Sequence, residues 1–443
     1  METKYVKRMF TSSQIIILGF AAVIFAGALL LMLPISSRSG EVTPFLDTLF
    51  TATSATCVTG LIVYDTATHW SGFGQAVIIS LIQIGGMGVI TIAVALAVIA
   101  KKRITLMHRS LMQDSISAPK MGGIVRLTGF IIRGVLLMEL IGALVMAPVF
   151  VRDHGIKGIW MAVFHSISAF CNAGFDILGR GNPFSSLTSY VGDPVINITI
   201  MLLIIIGGLG FITWEDIKNH GIHIRKYRMQ SKVILTMTTI LILVPAIYFF
   251  FWEFSAYPMK ERILASFFQS VTPRTAGYNT VTLNNMSETG HGIEILLMLI
   301  GGSPGSKAGG MKTTTIAVLF ASAFAVFKRK ESPQYFGRRI AEETIKNAAA
   351  ILLLYVGLFF VGAMIISRVE NLPLLTCLYE TASAVGTVGL TLGITPHLGV
   401  ISKIILIALM YFGRVGGLTL IFAALPERGA NLSKLPQEKI TVG

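Results

Sequence analysis

Long apolar runs alternate with shorter, half-apolar ones along the whole chain. Runs of spanning length lie near 15–34, 74–100, 127–150, 194–214, 233–254, 293–326, 347–367 and 401–425, which predicts eight membrane-crossing helices. Between the members of each pair lie stretches near 44–56, 157–170, 260–271 and 373–384. Segments of about 11–14 residues are too short to cross a bilayer and fit re-entrant helices. The unit span–short helix–span thus occurs four times, predicting repeats at 10–103, 122–218, 231–328 and 345–426.

The residues just after each short helix recur as well. The chain reads Val58-Thr59-Gly60-Leu61, Asn172-Ala173-Gly174-Phe175, Thr275-Ala276-Gly277-Tyr278 and Thr387-Val388-Gly389-Leu390, with glycines at intervals of 114, 103 and 112 residues. A second landmark comes 25, 33, 24 and 24 residues later: Gly85-Gly86-Met87-Gly88, Gly207-Gly208-Leu209-Gly210, Gly301-Gly302-Ser303 and Gly413-Arg414-Val415-Gly416-Gly417. Two landmarks in matching order fit duplicated two-span modules. For the second landmark, close helix packing remains an equal reading, since glycine is common in membrane spans.

Composition agrees. Of 443 residues, 53% are hydrophobic and 13% charged, about half the charged share of a soluble domain. Soluble, secreted, disordered and collagen-like classes are excluded. The net charge of +14 is explained by sidedness: segments 1–14, 101–126, 215–232, 328–346 and 428–443 hold 23 of the 36 lysines and arginines, and the surroundings of the short helices hold 8. The positive-inside rule places the basic segments and both termini in the cytoplasm and the short helices outside. No nucleic-acid partner is needed. Cys57, Cys171 and Cys377 suit neither a disulfide framework nor a zinc site. The first apolar run is read as a span rather than a signal peptide.

Irregular backbone at membrane depth is tolerated only where protein buries it or water reaches it. Four loops converging on one axis meet that condition, and their carbonyls then form rings. Glycine allows the backbone to aim carbonyls inward, and the short helices aim their partially negative C-terminal ends at the axis. Carbonyl rings favour a dehydrated monovalent cation, the logic of a potassium filter.

Gly386-Thr387-Val388-Gly389-Leu390 is close to the TVGYG filter of potassium channels. With the filter-like strings 168–175 and 272–279, residues 10–425 resemble the Trk/Ktr/HKT superfamily of potassium transporters, nearest to bacterial Ktr-type membrane subunits. The resemblance implies an all-α polytopic membrane protein with four parallel span–pore helix–span repeats around one pseudo-fourfold central pore. It implies a filter at Val58, Thr59, Gly60, Asn172, Ala173, Gly174, Thr275, Ala276, Gly277, Thr387, Val388 and Gly389. It also implies potassium as substrate, no covalent cofactor, a homodimer in a bacterial cell membrane, and a cytosolic ring of nucleotide-binding RCK-type subunits. Sodium dependence is left open. Repeat two departs from the pattern, with Asn172-Ala173 where the others carry threonine.

The third repeat's second span is interrupted by Gly302, Ser303, Pro304, Gly305, Ser306, Lys307, Ala308, Gly309 and Gly310. Proline with several glycines predicts a broken helix. A nucleotide loop is excluded, since G-x-x-x-x-G-K-[ST] is absent. In the resembled family this segment is an intramembrane gating loop; a passive kink is the alternative. Arg414 matches the family's fourth-repeat arginine, held to restrict permeation, the alternative being a structural pair. Lys307 and Arg414 are expected side by side as two cations opposing a permeating ion. Arg133 and Glu139 are expected to pair between helices, and His165 and Glu380 to hold the filter from behind. The competing function is an ion-coupled secondary carrier, whose repeats are more often inverted. A membrane enzyme has no support, because no H-E-x-x-H, Ser-Lys or clustered His/carboxylate pattern occurs.

Overall fold

The computed structural model describes residues 11–89, 91–92, 113, 123–179, 181–424 and 438. Most of the basic segments 1–14, 101–126 and 428–443, Arg180, and the end of the span expected to reach residue 100 lie outside the described residues.

Fifteen α-helices succeed one another among the described residues: α1 (Ser12–Met32), α2 (Phe45–Thr56), α3 (Gly72–Met87), α4 (Ile124–His154), α5 (Lys157–Phe170), α6 (Pro194–Gly208), α7 (Phe211–His220), α8 (Met229–Tyr248), α9 (Met259–Val271), α10 (Glu288–Leu299), α11 (Thr313–Phe327), α12 (Glu342–Glu370), α13 (Leu374–Gly386), α14 (Val400–Val415) and α15 (Gly417–Ala424). A two-stranded hairpin, β1 (Gln334–Tyr335) and β2 (Arg338–Arg339), sits between α11 and α12. Of the described helices, α1, α4, α8 with its continuation to Glu253, and α12 are each long and apolar enough to cross a membrane alone.

The short helices fall within two residues of their expected bounds. Pro44, Pro258 and Pro373 stand immediately before α2, α9 and α13, where a missing N–H breaks no helical bond. An aromatic side chain is buried at a matching place in each: Phe50, Phe164, Phe268 and Tyr379 are 0% exposed. The core is therefore built around the short helices. Ser71, Asp193 and Ser287 cap α3, α6 and α10 through side-chain bonds to backbone N–H groups.

The helix after each short one departs from expectation. The sequence predicts a single interruption, in the third repeat; in the structure all four are broken. α3 stops at Gly88, α6 and α7 meet at 97° across Leu209-Gly210, residues 300–312 separate α10 from α11, and Gly416 divides α14 from α15. The cause is a shared backbone conformation: Gly88, Gly210 and Gly416 have φ of 83°, 88° and 93° with ψ of 131°, 140° and 131°. L side chains rarely adopt it. The earlier glycines of the landmark serve packing. A Cβ on Gly85, Gly207 or Gly413 would run into the carbonyl oxygen of Thr56, Phe170 or Val385, near the end of the preceding short helix. Both readings of the landmark hold, at different glycines.

Gly210→Ala is expected to lower stability by at least the roughly 1–3 kcal/mol of a forced backbone, since its Cβ would also sit 2.5 Å from the Pro304 carbonyl oxygen. Gly357, inside α12 with nothing near its Cβ position, is the control: alanine there should be neutral or stabilising by about 0.5–1 kcal/mol. Thermal unfolding of the two purified variants checks the contrast, and equal melting points would remove the backbone argument.

Candidate ion pathway

Each short helix runs into a loop with the same alternation of backbone hand. Val58, Asn172, Thr275 and Thr387 all have positive φ, at 53°, 59°, 71° and 53°. Two residues later come Gly60, Gly174, Gly277 and Gly389, at 98°, 67°, 80° and 98°. A non-glycine residue held left-handed at four matching places is over-determined by its surroundings. Part of that hold comes from a hydroxyl near the end of each short helix. Ser54 Oγ accepts from Gly60 N at 3.0 Å, Ser168 Oγ from Phe175 N at 3.1 Å, and Ser383 Oγ from Gly389 N at 2.9 Å. In the third repeat Thr272 Oγ1 donates to the Tyr278 carbonyl at 2.5 Å.

The four loops touch in a closed order. A Cβ placed on Gly60 would lie 2.6 Å from Ala173 O, and one on Gly174 would lie 2.6 Å from Ala276 O. One on Gly277 would strike Val388 O, and one on Gly389 would strike Thr59 O, returning to the first loop. The carbonyls of Thr59, Ala173, Ala276 and Val388 thus mark the joints of one ring. All twelve residues expected at the filter are buried except Gly174, which is partly exposed. Thr59 Oγ1, Thr387 Oγ1 and Asn172 Oδ1 are buried oxygens that bond to no protein group. Asn172, the departure in repeat two, fills the same left-handed position and ties to the next loop, its Nδ2 3.3 Å from both Arg274 O and Thr275 Oγ1. Glu380 braces its loop as expected, accepting from Thr391 Oγ1 at 2.7 Å and from Thr395 Oγ1. His165 bonds to the Met161 carbonyl of its own helix at 2.7 Å, and its ring lies 6.2 Å from that of Tyr278, next to Gly277.

The segment 302–310 is packed against this ring. A Cβ on Gly309 would meet Thr387 Oγ1, and one on Gly310 would lie 2.8 Å from Gly386 O. The loop is tied down on both sides: Ser303 N bonds to Gly208 O at 3.1 Å, Phe211 N to Gly305 O at 2.8 Å, and Gly310 N to Gly413 O at 3.0 Å. A cavity of about 370 Å³ borders it, lined among others by Gly88, Ser306, Lys312, Arg414 and Gly416. The broken backbone therefore faces a cavity, as a chain break within a membrane protein requires.

The expected pair of opposing cations is corrected. Lys307, 0% exposed, turns away from Arg414 and places Nζ 3.0 Å from Glu139 Oε1. It also lies 3.2 Å from Cys171 Sγ and 4.2 Å from the centre of the Phe170 ring. Gln83 Nε2 holds the other carboxylate oxygen at 3.0 Å. The charge of Lys307 is neutralised within repeat two, and Glu139 pairs outside its own helix as expected, with Lys307 as the partner. Arg414 donates to the carbonyls of Lys307, Gly85 and Gly86. Among the described residues no carboxylate pairs with it. Lys312 donates to Ala308 O at 2.8 Å and Gly309 O at 3.3 Å.

Sequence reasoning missed Ser54, Ser168, Thr272 and Ser383, although a hydroxyl five or six residues before each glycine was visible. It also missed Arg274, which is 4% exposed beside Thr275 and reaches Thr238 Oγ1 at 3.3 Å. No group of three or more His, Cys, Asp or Glu among the described residues could hold a metal ion.

The family model described as "TrkH: Cation transport protein" matches residues 1–434. This chain belongs to the TrkH family. It is 40% identical to the potassium/sodium uptake protein NtpJ of Enterococcus hirae, covering 99% of both chains. It is 38% identical to the Ktr system potassium uptake protein B of Bacillus subtilis, over 98% of this chain and 97% of the relative. The crystal structure of the potassium transporter TrkH from Vibrio parahaemolyticus shares the fold, with a TM-score of 0.74 at 19% identity, covering 96% of this chain and 87% of that one.

Glu139→Gln should leave a buried ammonium unpaired and destabilise the protein by about 3–5 kcal/mol. Adding Lys307→Met should recover most of that loss, because the double variant buries no charge. Melting of the detergent-purified single and double variants checks this; additive losses would show that the two side chains do not act as a pair.

Proposed function

We propose that the chain is the potassium-conducting membrane subunit of an uptake system, built from four parallel repeats (10–103, 122–218, 231–328 and 345–426) around one central pore. The observation that carries this reading is the closed ring of contacts through Gly60, Gly174, Gly277 and Gly389. Four carbonyl-bearing loops that meet head to tail form the kind of wall that replaces a cation's water shell. The unpaired oxygens of Thr59, Asn172 and Thr387 add ligands free to face an ion. Potassium as the ion is supported by the names of the relatives and by the string 386–390. The sodium in one relative's name keeps sodium dependence open.

The segment Gly302–Gly310 is the gate of this pathway, and Arg414 is its electrostatic barrier. A guanidinium without a carboxylate opposes a cation about 4 Å away by roughly 4 kcal/mol at an effective dielectric near 20. Both termini lie in the cytoplasm, by the distribution of basic residues. One relative's designation as part of a Ktr system supports work with a further subunit; the homodimer and the cytosolic nucleotide-binding ring rest on the family resemblance. A secondary carrier is disfavoured because the repeats run parallel rather than inverted.

Rubidium flux through purified protein in liposomes tests the reading. Gly389→Ser is expected to reduce potassium preference over sodium, since a side chain would strike the Thr59 carbonyl at a φ of 98°. An unchanged ion ratio would take Gly389 out of the filter. Deleting 303–309 should raise flux, and Arg414→Ala should raise it less, because the loop stays in place. If a folded deletion variant conducts no faster than the intact chain, the loop is a passive kink.

A further inference from the structure

Next to Pro304 lies a second cavity, of about 430 Å³, within the roughly 300–1,000 Å³ range of sites for small amphiphiles. It is walled by the start of α8, by α11, by the β1–β2 hairpin and by the start of α12. Thr315 and Ile351 line both this cavity and the one bordering the gate loop, so the two flank that segment. The hairpin is fixed there by Tyr335 Oη, which donates to the Ala317 carbonyl at 2.8 Å.

The lining is graded. Val233, Ile340 and Ala348 are buried, whereas Arg339 and Thr344 are exposed. Among the described residues no carboxylate lines the cavity, and Arg339 forms no ion pair. An apolar end and an unneutralised guanidinium at the open end complement a chain carrying a negative head. The hairpin belongs to the basic segment 328–346, which the proposed sidedness sets against the cytoplasmic leaflet, where anionic lipid is found.

We propose that this cavity takes one acyl chain of an anionic phospholipid, with its phosphate on Arg339, and that the bound lipid holds the gate loop in place. Elsewhere the loop is packed: Lys307 is locked into repeat two, and Gly309 and Gly310 abut Thr387 and Gly386. A loop that leaves the pathway needs room, and the volume beside Pro304 supplies it. Lipid in that volume opposes opening. The lipid site rests on the proposed sidedness, and its effect on flux rests on the proposed gate.

The test has two arms. In the first, the full chain in detergent is exposed to dioleoyl phosphatidylglycerol or dioleoyl phosphatidylcholine, and retained lipid is counted by native mass spectrometry. The intact protein should retain the anionic lipid about fivefold better, the preference that roughly 1 kcal/mol from one arginine supplies. Arg339→Gln should abolish the preference, and Val318→Trp, which fills the cavity, should abolish retention. Equal retention of both lipids would mark an uncharged occupant and overturn the proposal, as would a preference that survives Arg339→Gln. Should Val318→Trp fail to fold, the arginine variant still decides. In the second arm, rubidium flux is compared in phosphatidylcholine liposomes with and without phosphatidylglycerol. Anionic lipid should slow the intact protein, leave Arg339→Gln fast in both, and leave Val318→Trp slow in both. Flux indifferent to lipid would overturn the link to the gate. Absence of flux in every liposome would defeat the transport reading, while the first arm still decides the lipid site.

Discussion

Everything in this structure answers to the cost of a backbone polar group at membrane depth. Helices satisfy their own amides, but loops cannot. Here four loops and four helix breaks stand among spans that could have been continuous. The loops meet the constraint collectively: each hides its backbone against the next, and the serine or threonine hydroxyls take bonds that water would otherwise supply. The breaks meet it by opening onto a cavity or by bonding to the segment 302–310. Each loop's backbone is covered by the next, so the four depend on one another.

The placement of the charges derives from the breaks. A helix stopped at Gly88 leaves its last carbonyls short of helical partners, although Gly85 O keeps a turn bond from Gly88 N at 3.1 Å. The Arg414 fork takes those of Gly85 and Gly86 together with that of Lys307, and its planar spread of donors suits separate carbonyls better than a compact ammonium does. Lys312 serves Ala308 and Glu139 neutralises Lys307. Three cations near one broken segment thus have two fates: a carboxylate for Lys307, and backbone carbonyls for Lys312 and Arg414. Among the described residues only Lys307 is cancelled by a carboxylate, so positive charge remains along the cavity beside the ring.

Periodicity and repeated glycines made much of this legible. The short helices were readable from their half-apolar length, and the four filter-like glycines from the matching residues around them and their recurrence after each short helix. The helix breaks at Gly88, Gly210 and Gly416 were not. A glycine in an apolar run packs a helix or ends it according to a φ that composition does not encode, and here neighbouring glycines do one each. The Lys307–Glu139 pair was hidden for another reason. Its members lie 168 residues apart, and the sequence predicts a partner for Glu139 on another helix without naming it. Local pattern finds elements, whereas partners across repeats depend on how those elements close.

The third repeat is where the symmetry yields. Its bracing hydroxyl, Thr272, stands five residues before its glycine, while Ser54, Ser168 and Ser383 stand six before theirs. It donates to a carbonyl where Ser54 and Ser383 accept from an N–H and Ser168 does both. The same repeat carries the longest helix break and the buried Arg274. Its loop nevertheless keeps the left-handed residue and the ring contact of the other three. The ring demands only that each loop present a carbonyl and a glycine at the joint; what lies beneath is free to diverge. A ring of four loops with one irregular repeat can therefore keep its contacts while, among the described residues, that repeat supplies the segment packed against it.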